Sequence, residues 1–249
     1  MSPLSAVTLD STGTLISCPA MGEIYAEVLA RHGVHVTTSD VRRTFPIVWQ
    51  ELDCRTPAGR DRFTAFPGGA RAFWGRLVER LCELLEAEKP GPFAVAELYH
   101  RFASASAWVV YPDAIPALEA MRALGLKLAV ISNFDERLPG ILEGLGLAAR
   151  VDAVVVSSAL GVAKPNPAIF HHALGRLGVE ARAAIHIGDH RLEDVEGAQG
   201  AGMAALLLRR DDPAAGCPDL LAAAEAIARG AGSPLLPPPV GQPPAGLRR

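Results

Sequence analysis

Five short apolar runs recur along the 249-residue chain: AVTL (6–9), LKLAVIS (126–132), VDAVVVS (151–157), AAIHI (183–187) and MAALLL (203–208). Between the later ones lie helix-like patterns. AIPALEAMRALGL (114–126) puts Ile115, Leu118, Met121 and Leu124 on one face, close to the 3.6-residue period. LPGILEGLGL (138–147) and PAIFHHALGRLGV (167–179) behave alike, each with a Gly in a C-cap position. Runs that are apolar throughout, rather than alternating, suit a parallel sheet covered on both faces. Strands that alternate with helices predict an α/β fold with a doubly wound parallel sheet.

Residues 17–107 break this rhythm. EIYAEVLARHG (23–33), TSDVRRTFPIVWQEL (38–52), GARAFWGRLVERLCELLEAE (69–88) and AVAELYHRFA (94–103) all read as helices. Ser39 or Asp40 is expected to cap the second. TPAGRDRFTAFPGG (56–69) is expected to be a loop. The expected organisation is therefore an α/β core from 1–16 and 108–230 with a helical insertion at 17–107. Trp49, Phe63, Phe66, Phe73, Trp74 and Trp108 gather in or beside the insertion. Core packing is the expected role for most, with one or two as candidates to line a substrate cavity. The tail 231–249 is rich in Pro and Gly, and the expectation there is disorder.

Of the residues, 49% are hydrophobic and the net charge is -3, a globular balance without the basic excess that nucleic acid demands. Cys18, Cys54, Cys82 and Cys217 are scattered, with no metal-ligand spacing and too few for a disulfide framework. No apolar run approaches the roughly 20 residues of a membrane span. The first strand begins too close to Met1 for a signal peptide. A cytoplasmic protein with reduced thiols is the expectation, with neither nucleic acid nor membrane as partner; the oligomeric state is left open.

Open α/β sheets bind ligands beyond the carboxyl ends of their strands. The residues just past each strand are therefore informative: Asp10 after the first, Ser132 and Asn133 after LAVI, Lys164 after VVVSSALGVA, and Gly188, Asp189 and Asp194 after AAIHI. Each residue has an ordinary alternative, such as a cap, a turn or a solvated lysine. Together and in this order they suit phosphoryl transfer to a carboxylate. Asp10 is then the nucleophile. A Mg²⁺ held by Asp10 and Asp189 offsets the charge of a phosphate monoester. Lys164 adds positive charge, and Ser132 and Asn133 are candidates to bind the phosphoryl group with backbone N–H groups. Asp194 is expected to orient either Lys164 or a metal-bound water.

DSTGTL, ISN, KPNPAIF and GDHRLEDVEGAQGAGM resemble motifs I to IV of the haloacid dehalogenase-like (HAD) hydrolase superfamily, in their order and from Asp10 to Met203. The likeness is nearest to its haloacid dehalogenase-like hydrolase domain-containing group. The resemblance implies a Rossmann-like core, Mg²⁺-dependent phosphatase chemistry on a small, phosphorylated molecule, Asp10 as nucleophile and Asp189 as metal ligand. It also makes 17–107 a helical C1-type cap that closes over the site and selects the substrate.

One position departs from the pattern. Family phosphatases carry Asp two residues after the nucleophile, as general acid and base; here it is Thr12. The resemblance leaves the Thr12 backbone carbonyl as a metal ligand, but its hydroxyl is no carboxylic acid. General acid–base catalysis contributes roughly 10²–10⁴-fold. Three readings are open: a phosphatase that is slow or needs a good leaving group; a persistent aspartyl-phosphate; or a catalytically weak binding or regulatory protein. The superfamily's transport ATPases use Thr here, but the chain has neither their membrane helices nor their nucleotide domain. A metal-independent 2-haloacid dehalogenase is the enzymatic alternative, since halide leaves without a proton; the Gly188–Asp189 pair argues against it. His190 or Glu23 could replace the missing acid, although solvent is the expected surrounding of His190. His186, His171 and His172 are expected to have no role.

Overall fold

The computed structural model describes residues 4–57, 59–212 and 214–230. The Pro-rich tail 231–249 lies outside the described residues. Strand β1 (Ala6–Leu9) leads to the short β2 (Ile16–Ser17), and the insertion comes next: α1 (Met21–Arg31), α2 (Thr38–Asp53), α3 (Arg62–Ala65), α4 (Gly69–Leu84) and α5 (Pro92–Arg101). The chain returns through β3 (Val109–Val110), α6 (Ala114–Ala123), β4 (Lys127–Ser132), α7 (Leu138–Gly144), β5 (Ala153–Val156), α8 (Ser157–Leu160) and α9 (Pro167–Leu177). It ends with β6 (Ala184–Gly188), a π-helical turn (Arg191–Glu196), α10 (Gly197–Gly200), β7 (Ala204–Leu207) and α11 (Leu220–Ala228).

The large sheet runs β5-β4-β1-β6-β7 and all its ladders are parallel. This is the doubly wound α/β arrangement that the rhythm predicts. β1 is central, and the chain turns to opposite sides of it for β4 and β6, so a crevice opens at the end of β1. The pleat divides the side chains between two layers. Val7, Leu9, Leu128, Val130, Ile185 and Ile187 pack with α6, α7 and α11. Ala6, Ala129, Ala184 and Ala205 face the other way, and these small residues let Phe170 of α9 lie close to the sheet.

β2 and β3 pair antiparallel, Ile16 with Val110, where the chain leaves for the helices and comes back. The helices of 17–107 have their own core, with Phe63, Phe73, Leu77 and Leu81 fully buried. Burial of each such side chain contributes roughly 1.5–3 kcal/mol. Trp49, Phe63, Phe66, Phe73 and Trp74 pack on one another, mostly edge to face, as expected of core aromatics.

Two local expectations are corrected. Thr37, not Ser39 or Asp40, caps α2: its hydroxyl accepts from the Asp40 N–H at 3.1 Å and donates to the Asp40 carboxylate at 2.7 Å. The helix already starts at Thr38, which places the other two inside its first turn. The expected loop at 56–69 contains α3, capped by Asp61, whose Oδ2 accepts from the Thr64 N–H at 2.7 Å. Among the described residues no helix is long and apolar enough to cross a membrane.

Candidate active site

Asp10 leaves the end of β1 with its N–H bonded to the Ile187 carbonyl at 2.9 Å, which ties it to β6. Lys164, 3% exposed, reaches it from the loop beyond α8. Its Nζ lies 2.6 Å from Asp10 Oδ1 and 2.6 Å from Asp194 Oδ1. The other Asp194 oxygen accepts from the His190 N–H at 2.9 Å. Asp194 therefore pairs with Lys164 on one side and with the His190 main chain on the other. At the end of β4, the Ser132 hydroxyl is 2.7 Å from that of Ser11, so the Ser132 side chain sits beside the loop after Asp10.

The Asn133 side chain meets the main chain of Lys164. Its Oδ1 accepts from the Lys164 N–H at 2.7 Å and its Nδ2 donates to the Lys164 carbonyl at 2.9 Å. Both ends of the amide clamp the main chain of the lysine.

Glycine is required at two points. A Cβ on Gly13, whose φ is +87°, would come within 2.3 Å of Asp189 Oδ2. One on Gly188 would come within 2.2 Å of Asp194 Cγ. Both carboxylates are thus packed directly against main chain. Asp10, Asp189 and Asp194 each offer an oxygen within 4.8 Å of the others.

Such crowding has an electrostatic cost. Burial pushes the Asp10 carboxyl up to about 7; Asp194 and Asp189 push the same way, and Lys164 opposes them. Burial and then Asp194 raise Asp189 as well. Asp194 is also buried, but Lys164 and His186 hold it below the usual carboxylate range. Burial disfavours the Lys164 cation, yet Asp10 and Asp194 outweigh it and hold the lysine charged. One lysine faces three carboxylates. The site has surplus negative charge and oxygen donors alone, which fits a hard divalent cation.

Other expectations divide. Thr12 is exposed, in the turn after Asp10. Glu23 is exposed and paired with Arg42 at 2.7 Å. His190 is exposed, as expected, and its Nδ1 accepts from the Glu193 N–H at 3.2 Å. His186 lies in β6, as expected of a strand residue. It is fully buried, with Nε2 3.1 Å from Asp194 Oδ1 and Nδ1 2.8 Å from Thr8 Oγ1. A cavity of about 410 Å³ lies between the helices of the insertion and the core, lined by Phe63, Thr64, Ala70, Glu136, Pro139 and Ser158 among others. It does not include Asp10, Asp189 or Asp194, and of the expected cavity aromatics it takes Phe63.

A model of haloacid dehalogenase-like hydrolases matches residues 4–202, which hold Asp10, Ser132, Lys164, Asp189 and Asp194. The chain belongs to the haloacid dehalogenase-like hydrolase family. Among curated HAD-like relatives, haloacid dehalogenase-like hydrolase domain-containing protein 3 of Mus musculus is 38% identical over 83% of this chain and 82% of its own. A phosphoserine phosphatase of Thermus thermophilus is 36% identical over 61% of this chain and 64% of its own. Among solved HAD folds, a 2-haloacid dehalogenase from Pseudomonas syringae matches with a TM-score of 0.63 at 25% identity, over 92% of this chain and 100% of that one.

Proposed function

We propose that this HAD-like hydrolase is a Mg²⁺-dependent phosphate-ester hydrolase that works on a small molecule through an aspartyl-phosphate. The observation that carries the reading is the Asp10–Lys164–Asp194 arrangement beside Asp189. A carboxylate is fixed by a buried lysine, itself held by a second carboxylate, and a third carboxylate stands within 4.8 Å.

Lys164 engages Asp10 Oδ1, so Oδ2 is the attacking oxygen. It bonds to phosphorus as the bond to the leaving-group oxygen breaks. Lys164 offsets the charge that builds on the phosphoryl oxygens, and the Ser132 hydroxyl donates to one of them. Water then hydrolyses the acyl phosphate, releasing phosphate and restoring the Asp10 carboxylate. Asp10, Asp189 and the Thr12 carbonyl are the ligands assigned to Mg²⁺, which when bound supplies the charge that lets an anionic nucleophile meet an anionic ester. Thr12 donates no proton comparable to a carboxylic acid. The departing oxygen takes its proton from solvent, so esters with good leaving groups turn over fastest. The phosphatase names of relatives agree with this chemistry.

A 2-haloacid dehalogenase is the second reading, favoured by Thr12 and by the Pseudomonas syringae likeness. Asp189 against Gly13 opposes it, since that chemistry needs no metal carboxylate. A panel of phosphorylated metabolites and 2-haloacids, assayed with Mg²⁺ and with chelator, decides. Mg²⁺-dependent phosphate release that disappears in Asp10→Asn is expected. Halide release that ignores chelator would replace the first reading with the second. Turnover of neither class would leave a binding or regulatory role.

A further inference from the structure

Thr8 and His186 are register partners on β1 and β6, on the side of the sheet that packs against α9. Both are fully buried. Their neighbours on that side, Ala6, Ala129, Ala184 and Phe170, are apolar, and Phe170 meets the imidazole edge-on at 5.1 Å. An imidazole in such a place costs free energy unless both nitrogens are partnered. Both are: Nδ1 is 2.8 Å from Thr8 Oγ1 and Nε2 is 3.1 Å from Asp194 Oδ1.

The partners dictate the direction of these bonds. A carboxylate only accepts, so the proton facing Asp194 sits on Nε2. Burial lowers the pKa of the ring below its ordinary value against the pull of Asp194, and this favours the neutral form. Nδ1 is then the acceptor, and the Thr8 hydroxyl donates to it. Asp194 Oδ1 therefore takes Nε2–H from one side and the Lys164 ammonium from the other, and that ammonium also holds Asp10.

We propose that Thr8 and His186 are a positioning pair that fixes Asp194 from behind the sheet and thereby sets where Lys164 holds Asp10. Neither touches substrate. Their action passes through Asp194 Oδ1, and the inference rests on the reading of Asp10 as nucleophile.

Long-range ¹H–¹⁵N spectra of the full chain read the tautomer without any assay of activity. The expected result is a proton on Nε2 of His186 and none on Nδ1; a proton on Nδ1 would overturn the proposal. Turnover of p-nitrophenyl phosphate with Mg²⁺ supplies the second arm. His186→Leu is expected to lower kcat roughly 10-fold or more, with KM unchanged within about twofold. His186→Gln, whose amide N–H reaches the same carboxylate, is expected to recover most of the loss. Equal losses in both variants, or wild-type kcat in the leucine variant, would overturn it. Should His186→Leu not fold, Thr8→Val takes its place. A mixture of ring tautomers and a reduced kcat are expected there, and an unchanged tautomer with unchanged kcat sinks the pair. Absence of turnover in the wild type defeats the phosphatase reading alone, because the tautomers of wild type and Thr8→Val still decide the positioning pair.

Discussion

Asp10 holds its proton to about pH 7 in the folded, metal-free chain, against an ordinary 3.8. Between those values the folded state binds a proton that the unfolded state has released. The stability contribution of this group therefore falls as pH rises from about 4 through 7. Asp10→Asn is expected to flatten that decline in chelator. Its Tm gains on the wild type near pH 8 and loses the advantage near pH 4, as thermal scans across that range will read. The same variant is expected to have no phosphatase turnover, because an amide is a poor nucleophile; wild-type turnover would remove Asp10 from that role. Mg²⁺ is expected to stabilise the wild type by about 2.7 kcal/mol at a hundred times its Kd. Asp189→Ala should lose most of this, and an unchanged Mg²⁺-dependent Tm would exclude Asp189 as a ligand. Thr12→Asp is expected to raise turnover of an alkyl phosphate about ten-fold or more, with a smaller gain for a nitrophenyl ester that needs no proton. Comparing the two substrates checks it, and no gain on either would mean that the acid is supplied elsewhere.

Between α2 and α4, a short segment joins the helical insertion to the loop of Lys164. Gly59 O accepts from the Ala163 N–H at 3.1 Å, the Asp61 N–H donates to Gly161 O at 3.2 Å, and Arg60 bridges Val162. Asp61 is the hub. It is 1% exposed, caps α3 through Oδ2, and accepts from the Ser157 hydroxyl at 2.7 Å through Oδ1. Asp61→Ala removes the cap and a buried partner together, with an expected loss of roughly 1–2 kcal/mol. Asp61→Asn keeps an oxygen for the Thr64 N–H and should lose less. Urea denaturation of the two variants checks the order.

The residues after β4 also meet the helical insertion. The residues after β4 carry Asp135, fully buried, and Arg137. Asp135 Oδ2 accepts from Trp74 Nε1 of α4 at 2.6 Å and from Arg137 Nη2 at 2.6 Å. The guanidinium lies 4.1 Å from the Tyr99 ring of α5 and donates to the Tyr99 carbonyl at 3.0 Å. Arg137→Met preserves much of the volume and leaves a buried carboxylate without its cation. A loss of roughly 3–5 kcal/mol is expected, measured by urea unfolding. Asp135→Asn combined with Arg137→Met should recover part of it, and equal instability of the single and double variants would refute the electrostatic origin of the cost.

The strands and their ends are legible in the sequence because their signals are local. An apolar run identifies a buried strand over four to six residues, and the parallel-sheet rule then places Asp10, Ser132, Lys164 and Asp189 at one edge. Gly13 and Gly188 are legible as glycines, but not as the places where Asp189 and Asp194 touch main chain. The contacts of Asn133, His186 and Asp135 are not legible, and Thr37 caps the helix that Ser39 or Asp40 is expected to cap. Thr37 is a local miss of two or three residues in a helix start. The others depend on partners 31, 178 and 61 positions away for Asn133–Lys164, Thr8–His186 and Trp74–Asp135. Periodicity records which face of an element is apolar, a property of one or two turns. Which donor meets which acceptor depends on how strands and helices pack, and that packing is the sum of many weak contacts that no short stretch of residues contains.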